Sequence, residues 1–297
     1  MFLATGALVI AFALPLYHLV RFALREDLYS HIVLIPFVSL YLVWVRRKAL
    51  PPASAPARPW AVLLLAAGAA VIAGRIGLAL AGTALAAEDS LAFTTLSFVL
   101  FFAGICCWFI GRQTLRAVLF PLAFLIFMVP LPSAVQDALE TFLQHGSAEV
   151  AYGIFSLSGM PVLRNGLVFQ LPGFSLEVAP QCSGIHSTLA LFITSVLAGH
   201  LFLRTRWKQA TLALAVIPLA LLRNGFRIFV VGTLCVRIGP EMIDSYIHRH
   251  GGPIFFVLSL IPFVLVLLWL AKSDQRAAPR PVGRSKEAVP NSRTPVR

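Results

Sequence analysis

Apolar runs of membrane-spanning length alternate with short charged segments along the chain. A helix crossing a bilayer needs about 20 mostly apolar residues. Eight segments read as spans by that measure: residues 2–24, 30–45, 60–86, 91–110, 115–132, 182–203, 209–236 and 253–271. Pro15, Pro36, Pro121, Pro218 and Pro262 fall inside them, which membrane helices tolerate when neighbours satisfy the freed backbone groups. The first segment has no basic start and no small-residue cleavage pattern after it. It is therefore expected to span rather than to serve as a cleaved signal.

The connection at 133–180 breaks the pattern. Val135, Leu139 and Phe142 recur at helical spacing, with Gln136, Asp137, Glu140 and Gln144 on other faces. That spacing predicts an amphipathic helix near the outer surface. In PVLRNGLVFQLPGFSLEV, Asn165-Gly166 and Pro172-Gly173 predict two turns between short β-prone runs. The expected fold is an all-α polytopic membrane protein of about eight transmembrane helices. A small extracytoplasmic cap, an amphipathic helix with a β-hairpin, occupies about 133–180. Residues 1–271 form the transmembrane domain. Residues 272–297, rich in proline, arginine and serine, read as a basic, disordered cytoplasmic tail steadied against anionic membrane lipid.

Composition sharpens this picture. Hydrophobic residues make up 59% of the chain and charged residues only 12%, about half the usual charged share. A soluble enzyme, a disordered chain and a nucleic-acid-binding module are thereby excluded, despite the formal charge of +12. Sixteen of the 24 basic residues, but only two of the 12 acids (Asp274 and Glu287), lie in alternate loops and the tail. Arg46, Arg47, Lys48, Arg58, Arg112, Arg116, Arg204, Arg206 and Lys208 mark those loops. The positive-inside rule then predicts a multi-pass protein with both termini in the cytoplasm.

Ionisable residues inside spans are costly and mark function by default. Span seven carries Arg223 and Arg227 in LLRNGFRIF, four apart on one helical face. Arg75 in span three either snorkels or pairs with an acid, and no role is assigned to it. Counting ~1.5 Å per residue from the cytoplasmic charges puts Cys182 about 33 Å up, Arg227 about 28 Å, Arg223 about 22 Å and His248 about 34 Å. Cys182, Arg227 and His248 are thus expected in one layer near the outer boundary. A thiol, a fixed cation and an imidazole together suit acyl transfer. The thiolate attacks, the imidazole moves the proton, and the guanidinium favours thiolate and oxyanion.

Blander roles compete for each residue. A lone membrane cysteine is usually a packing residue, which suits Cys106, Cys107 and Cys235. His18, His145 and His250 default to solvated positions. A zinc site of Cys182, His186, His248 and His250 has tetrahedral donors. It leaves Arg227 unexplained and sets a cation beside a cation, so neither metal nor cofactor is expected.

The sequence resembles the exosortase/archaeosortase family through APQCSGIHS around Cys182, RNGFRI around Arg227 and HRHGGPIFF from His248. YSHIVLIPFVSLYLVW near 29–44 looks like the family's N-terminal serine–histidine signature, and FMVPLP at 127–132 like its mid-chain motif. The resemblance covers most of 28–271. It implies a bacterial inner-membrane thiol protease or transpeptidase with catalytic Cys182, Arg227 and His248, its site facing outward. The implied partners are exported proteins bearing a C-terminal tripartite sorting signal: a short motif such as Pro-Glu-Pro, a transmembrane helix and a basic cluster. Two positions depart from the pattern: Ile32 stands where glycine is expected, and His186 where relatives often have arginine. His186, Arg223, Asn224 and His31 are expected as substrate-binding residues. The competing reading is a non-enzymatic polysaccharide-export component, or a transporter using Arg223 and Arg227 to bind an anionic substrate.

Overall fold

A computed structural model describes residues 1–51, 55–180, 183–239, 241 and 246–277, with backbone alone at 246–253 and 275–277. Ten α-helices and one small sheet follow in order. They are α1 (Phe2–Ala11), α2 (Ala13–Ala23), α3 (Ile35–Arg46), α4 (Arg58–Leu80), α5 (Ala87–Phe109), α6 (Arg112–Phe124), α7 (Ser133–Leu157), strands β1 (Leu163–Asn165), β2 (Val168–Leu171) and β3 (Phe174–Glu177), then α8 (Ile185–Phe202), α9 (Arg206–Arg237) and α10 (Tyr246–Ala277). Six helices are long and apolar enough to cross a membrane, or up to eight spans if each of two bent pairs counts as one. This is a polytopic all-α membrane protein.

Proline places both bends. The first expected span is two helices bent by 66° between Ala11 and Ala13. Pro15 has no N–H to offer the carbonyl of Ala11, and its ring crowds that carbonyl, so α1 stops there. The second bend, 88°, separates Arg112–Met128 from Ser133–Leu157, where Pro130 and Pro132 push the residues before them out of helical geometry.

Helix α7 forms as expected but buries a different face. Val135, Leu139 and Phe142 are exposed, whereas Leu143, Ser147, Ala148, Ala151 and Phe155 are buried. Small residues explain the choice, because they let two backbones approach closely. A Cβ at Gly225 of α9 would lie 2.6 Å from Val150, and one at Gly232 2.7 Å from Phe155. The bulky stripe is left facing outward, as in a lipid-facing helix.

The sheet is antiparallel in the order β1-β2-β3. Asn165 pairs with Val168, so Gly166 (φ 63°) and Leu167 form the first turn, and Pro172-Gly173 (φ 76°) the second. Phe169, Leu171 and Leu176 bury against Phe155 and Ile228, seating the cap between α7 and α9. At the opposite end, Asp274 of α10 accepts from the amides of Arg204 (2.6 Å) and Thr205 (3.3 Å) and from the Thr205 hydroxyl. Buried Lys208 pairs with the same carboxylate at 3.2 Å. The last helix thus runs past Lys272, where the tail was expected to begin, because Asp274 fastens it to the α8–α9 turn. Residues 278–297 of that tail lie outside the described residues.

Candidate active site

Four sequence stretches converge at the end of the bundle that carries the cap. Tyr29, buried in a 3₁₀ helix at Asp27–Val33, donates to Gln136 Oε1 at 2.8 Å and to the carbonyl of Leu131 at 3.4 Å. His31 follows it. Its Nδ1 lies 3.1 Å from the carbonyl of Leu28, and the carbonyl of Phe127 is also within its reach. The 29–31 and 127–132 motifs are therefore joined by hydrogen bonds. Asp89 at the head of α5 fixes the start of α7 by accepting from the Ser133 amide (2.7 Å) and hydroxyl (2.8 Å).

The segment entering α8 is held on both sides of Gln181 and Cys182, which lie outside the described residues. Upstream, the Val178 amide donates to Leu167 (3.0 Å), and Gln144 of α7 donates to the carbonyl of Val178. Downstream, Gly184 takes a left-handed conformation, φ 74°, which glycine adopts without the Cβ penalty. Its carbonyl accepts from the Thr188 amide (3.0 Å), the Thr188 hydroxyl (2.8 Å) and Arg223 Nη2 (3.2 Å). Arg223 Nη2 also lies 3.3 Å from Thr188 Oγ1. The fit is close: a Cβ at Gly184 would sit 2.9 Å from Arg223 Nη2 and 3.2 Å from Asn224 Oδ1.

Arg223 is 8% exposed and Asn224 2%. Arg223 Nη1 is buried without a hydrogen-bond partner among the described residues, and no carboxylate there pairs with Arg223. Arg227, one turn on and half-buried, lies close enough for the two like charges to feel each other.

The height count needs correction at Arg223. It set Arg223 about 11 Å below Cys182, yet the guanidinium reaches residue 184. Helix α8 begins at Ile185 rather than Cys182, and the long arginine side chain covers much of the remainder. Phe226 and Phe255 meet at 6.3 Å between α9 and α10, and the backbone of His248 lies about 10 Å further along α10. Its side chain lies outside the described residues.

His186, in the first turn of α8, is exposed and close enough to half-buried His31 for their charges to interact. Sequence reasoning passed over Gly184 and Thr188, although the glycine and a hydroxyl four residues on in CSGIHST are a local signal for a tight helix start. Cys106, Cys107 and Cys235 are free and buried among apolar side chains. Among the described residues no three His, Cys, Asp or Glu side chains stand together as metal ligands. Cys182 and the His248 and His250 side chains of the zinc alternative lie outside them.

Comparison with known proteins adds the family. Searches of curated proteins and of solved structures return no match. The family model described as transmembrane exosortase matches residues 23–265 and takes in all four converging stretches. Members of that family are membrane proteases or transpeptidases acting on exported proteins. With the match running from α2 into α10, this chain belongs to the transmembrane exosortase family.

Proposed function

We propose that the protein is a thiol-dependent exosortase. It cleaves the C-terminal sorting signal of exported proteins, of the Pro-Glu-Pro type, at the outer face of a bacterial inner membrane. Cys182 is the nucleophile and His248 the general acid/base, as the motifs CSG and H-x-x-x-G imply, and Arg227, the cation that N-x-x-R implies, shares the stabilising task with Arg223 one turn before it. Both termini are cytoplasmic, following the basic loops.

The observation that carries this reading is the grip of Arg223 on Gly184, one residue past the Cys182-Ser183 pair, with one donor of the same guanidinium buried and without a partner among the described residues. A fixed cation beside a thiol favours thiolate. A spare N–H in a water-poor layer suits the oxygen of a tetrahedral intermediate. Thiolate attack on the scissile carbonyl forms that oxyanion. Its collapse makes a thioester to Cys182 and expels the amine of the substrate's tail, which takes its proton from His248. An amine, another acceptor or water then attacks the thioester and frees the enzyme. His31, His186 and Asn224 border the space where the substrate chain would lie. An anion transporter would also use an arginine pair, and family membership is what favours the enzyme.

The test is co-expression with exported proteins carrying C-terminal tripartite signals, followed by mass spectrometry of their C-termini. Truncation next to the signal motif, dependent on Cys182, is the expected result. Full-length substrates across a panel of such signals would overturn the reading.

A further inference from the structure

A second basic site lies near this end of the bundle, lined by α2, α4 and α5. A cavity of about 630 Å³ opens between α2, α4 and α5. Arg21, Arg25 and Arg75 line it, with Glu26 as its one carboxylate. Among the described residues none of the three arginines pairs with a carboxylate. Arg75 spends Nε on Ser90 Oγ at 3.1 Å, and Arg21 rests on the Tyr17 ring at 5.7 Å. Three like charges around one cavity repel unless an anion joins them, and an arginine inside a span needs a partner.

We propose that this cavity binds the phosphate of an anionic lipid headgroup. Arginine forks match phosphate oxygens bidentately. The volume falls in the range of small-molecule sites, about 300–1,000 Å³, and exceeds what a single free phosphate fills. Part of the wall is apolar, formed by Leu14, Phe22 and Leu91, as the first carbons of acyl chains require. Height agrees as well. Arg75 lies about 26 Å along α4 from Arg58, near the far boundary of a hydrocarbon layer about 30 Å thick. That is the level of lipid phosphates, where basic pockets between spans take headgroups. The Phe22 ring packs against Tyr29 with centroids 4.9 Å apart, so the bound lipid adjoins the 29–31 motif. The inference stands apart from the thiol chemistry and holds whether or not Cys182 is a nucleophile.

Native mass spectrometry of the full-length protein tests it, with phosphatidylglycerol, zwitterionic phosphatidylcholine and inorganic pyrophosphate as probes. The wild type should retain phosphatidylglycerol in preference to phosphatidylcholine, and millimolar pyrophosphate should not displace it. Arg75→Gln and the exposed Arg21→Gln should each weaken retention about fivefold, while Arg116→Gln, at the opposite end, should not. Thermal unfolding of each variant confirms that it is folded; Arg21→Gln keeps the test open if Arg75→Gln is not. Displacement by pyrophosphate with no preference between the lipids would assign the site to free phosphate and overturn the lipid proposal. Equal phosphatidylglycerol retention by the wild type and a folded Arg21→Gln would overturn the site altogether.

Discussion

Arg223 Nη2 lies 3.2 Å from the carbonyl oxygen of Gly184, joining the middle of α9 to the residue that opens α8. The bond needs a bare, left-handed residue at 184 and a side chain long enough to reach it. It leaves Nη1 of the same guanidinium buried and without a partner among the described residues. The cysteine segment and the arginine helix are therefore one assembly.

Gly184→Ala should damage that assembly. The residue has φ 74°, and the new methyl would sit 2.9 Å from Arg223 Nη2. Left-handed strain alone costs of order 1–3 kcal/mol. We expect a lower unfolding temperature and loss of substrate processing, measured together at matched membrane levels. Normal processing in Gly184→Ala would show that the geometry at 184 is dispensable.

Lysine should replace neither Arg227 nor Arg223. Height alone, with Arg227 about 5 Å and Arg223 about 11 Å below Cys182, favours Arg227 as the critical cation. The contact with Gly184 changes that expectation, because an ammonium cannot hold Gly184 and Thr188 while keeping a second planar donor free. Loss of such a stabiliser typically costs ~10²–10³ in rate. Comparing cleaved with uncleaved substrate in both variants checks this, and full activity of Arg223→Lys would leave Arg227 alone as the critical cation.

Much of this was legible in the sequence, and the failures have physical causes. Spans, basic loops and cap turns follow from apolar run length, charge and Gly/Pro chemistry, which act locally. The buried face of α7 did not, because a stripe of Val135, Leu139 and Phe142 looks the same whether it faces core or lipid. Close approach of α7 to α9 depends on small residues, Gly225 and Gly232, about 75 positions in sequence from the Val150 and Phe155 they meet. The role of Gly184 was missed for a related reason. Counting heights assumes that a helix begins where its apolar run begins, and here the helix starts three residues late so that Arg223 can enter beneath it.

Asp274→Ala should destabilise the protein without touching the cap end. The carboxylate satisfies the amides of Arg204 and Thr205 and pairs with Lys208, which is only 4% exposed. Removing the carboxylate strands the Lys208 charge and leaves two amides without their acceptor, which is destabilising. Thermal unfolding in detergent should show a clear drop, partly restored by adding Lys208→Met. Unchanged stability would mean that the pair is solvated in the membrane.

Orientation can be read by labelling. In a background lacking other reactive cysteines, Glu241→Cys should react with a membrane-impermeant thiol reagent in intact cells, and Ser273→Cys should not. The reverse pattern would place the cap and Arg223 in the cytoplasm and remove the outward-facing site.

The central claim is that Cys182 becomes acylated during turnover. Cys182→Ala and Cys182→Ser should abolish processing, while Cys106→Ala, Cys107→Ala and Cys235→Ala, altering buried packing residues, should leave it largely intact. The most direct measurement is intact and peptide mass spectrometry of enzyme quenched in acid during turnover. The account predicts a hydroxylamine-labile adduct on Cys182 whose mass equals the substrate fragment upstream of the cleaved bond. Normal processing by Cys182→Ala at normal expression, with no adduct on any cysteine, would contradict it.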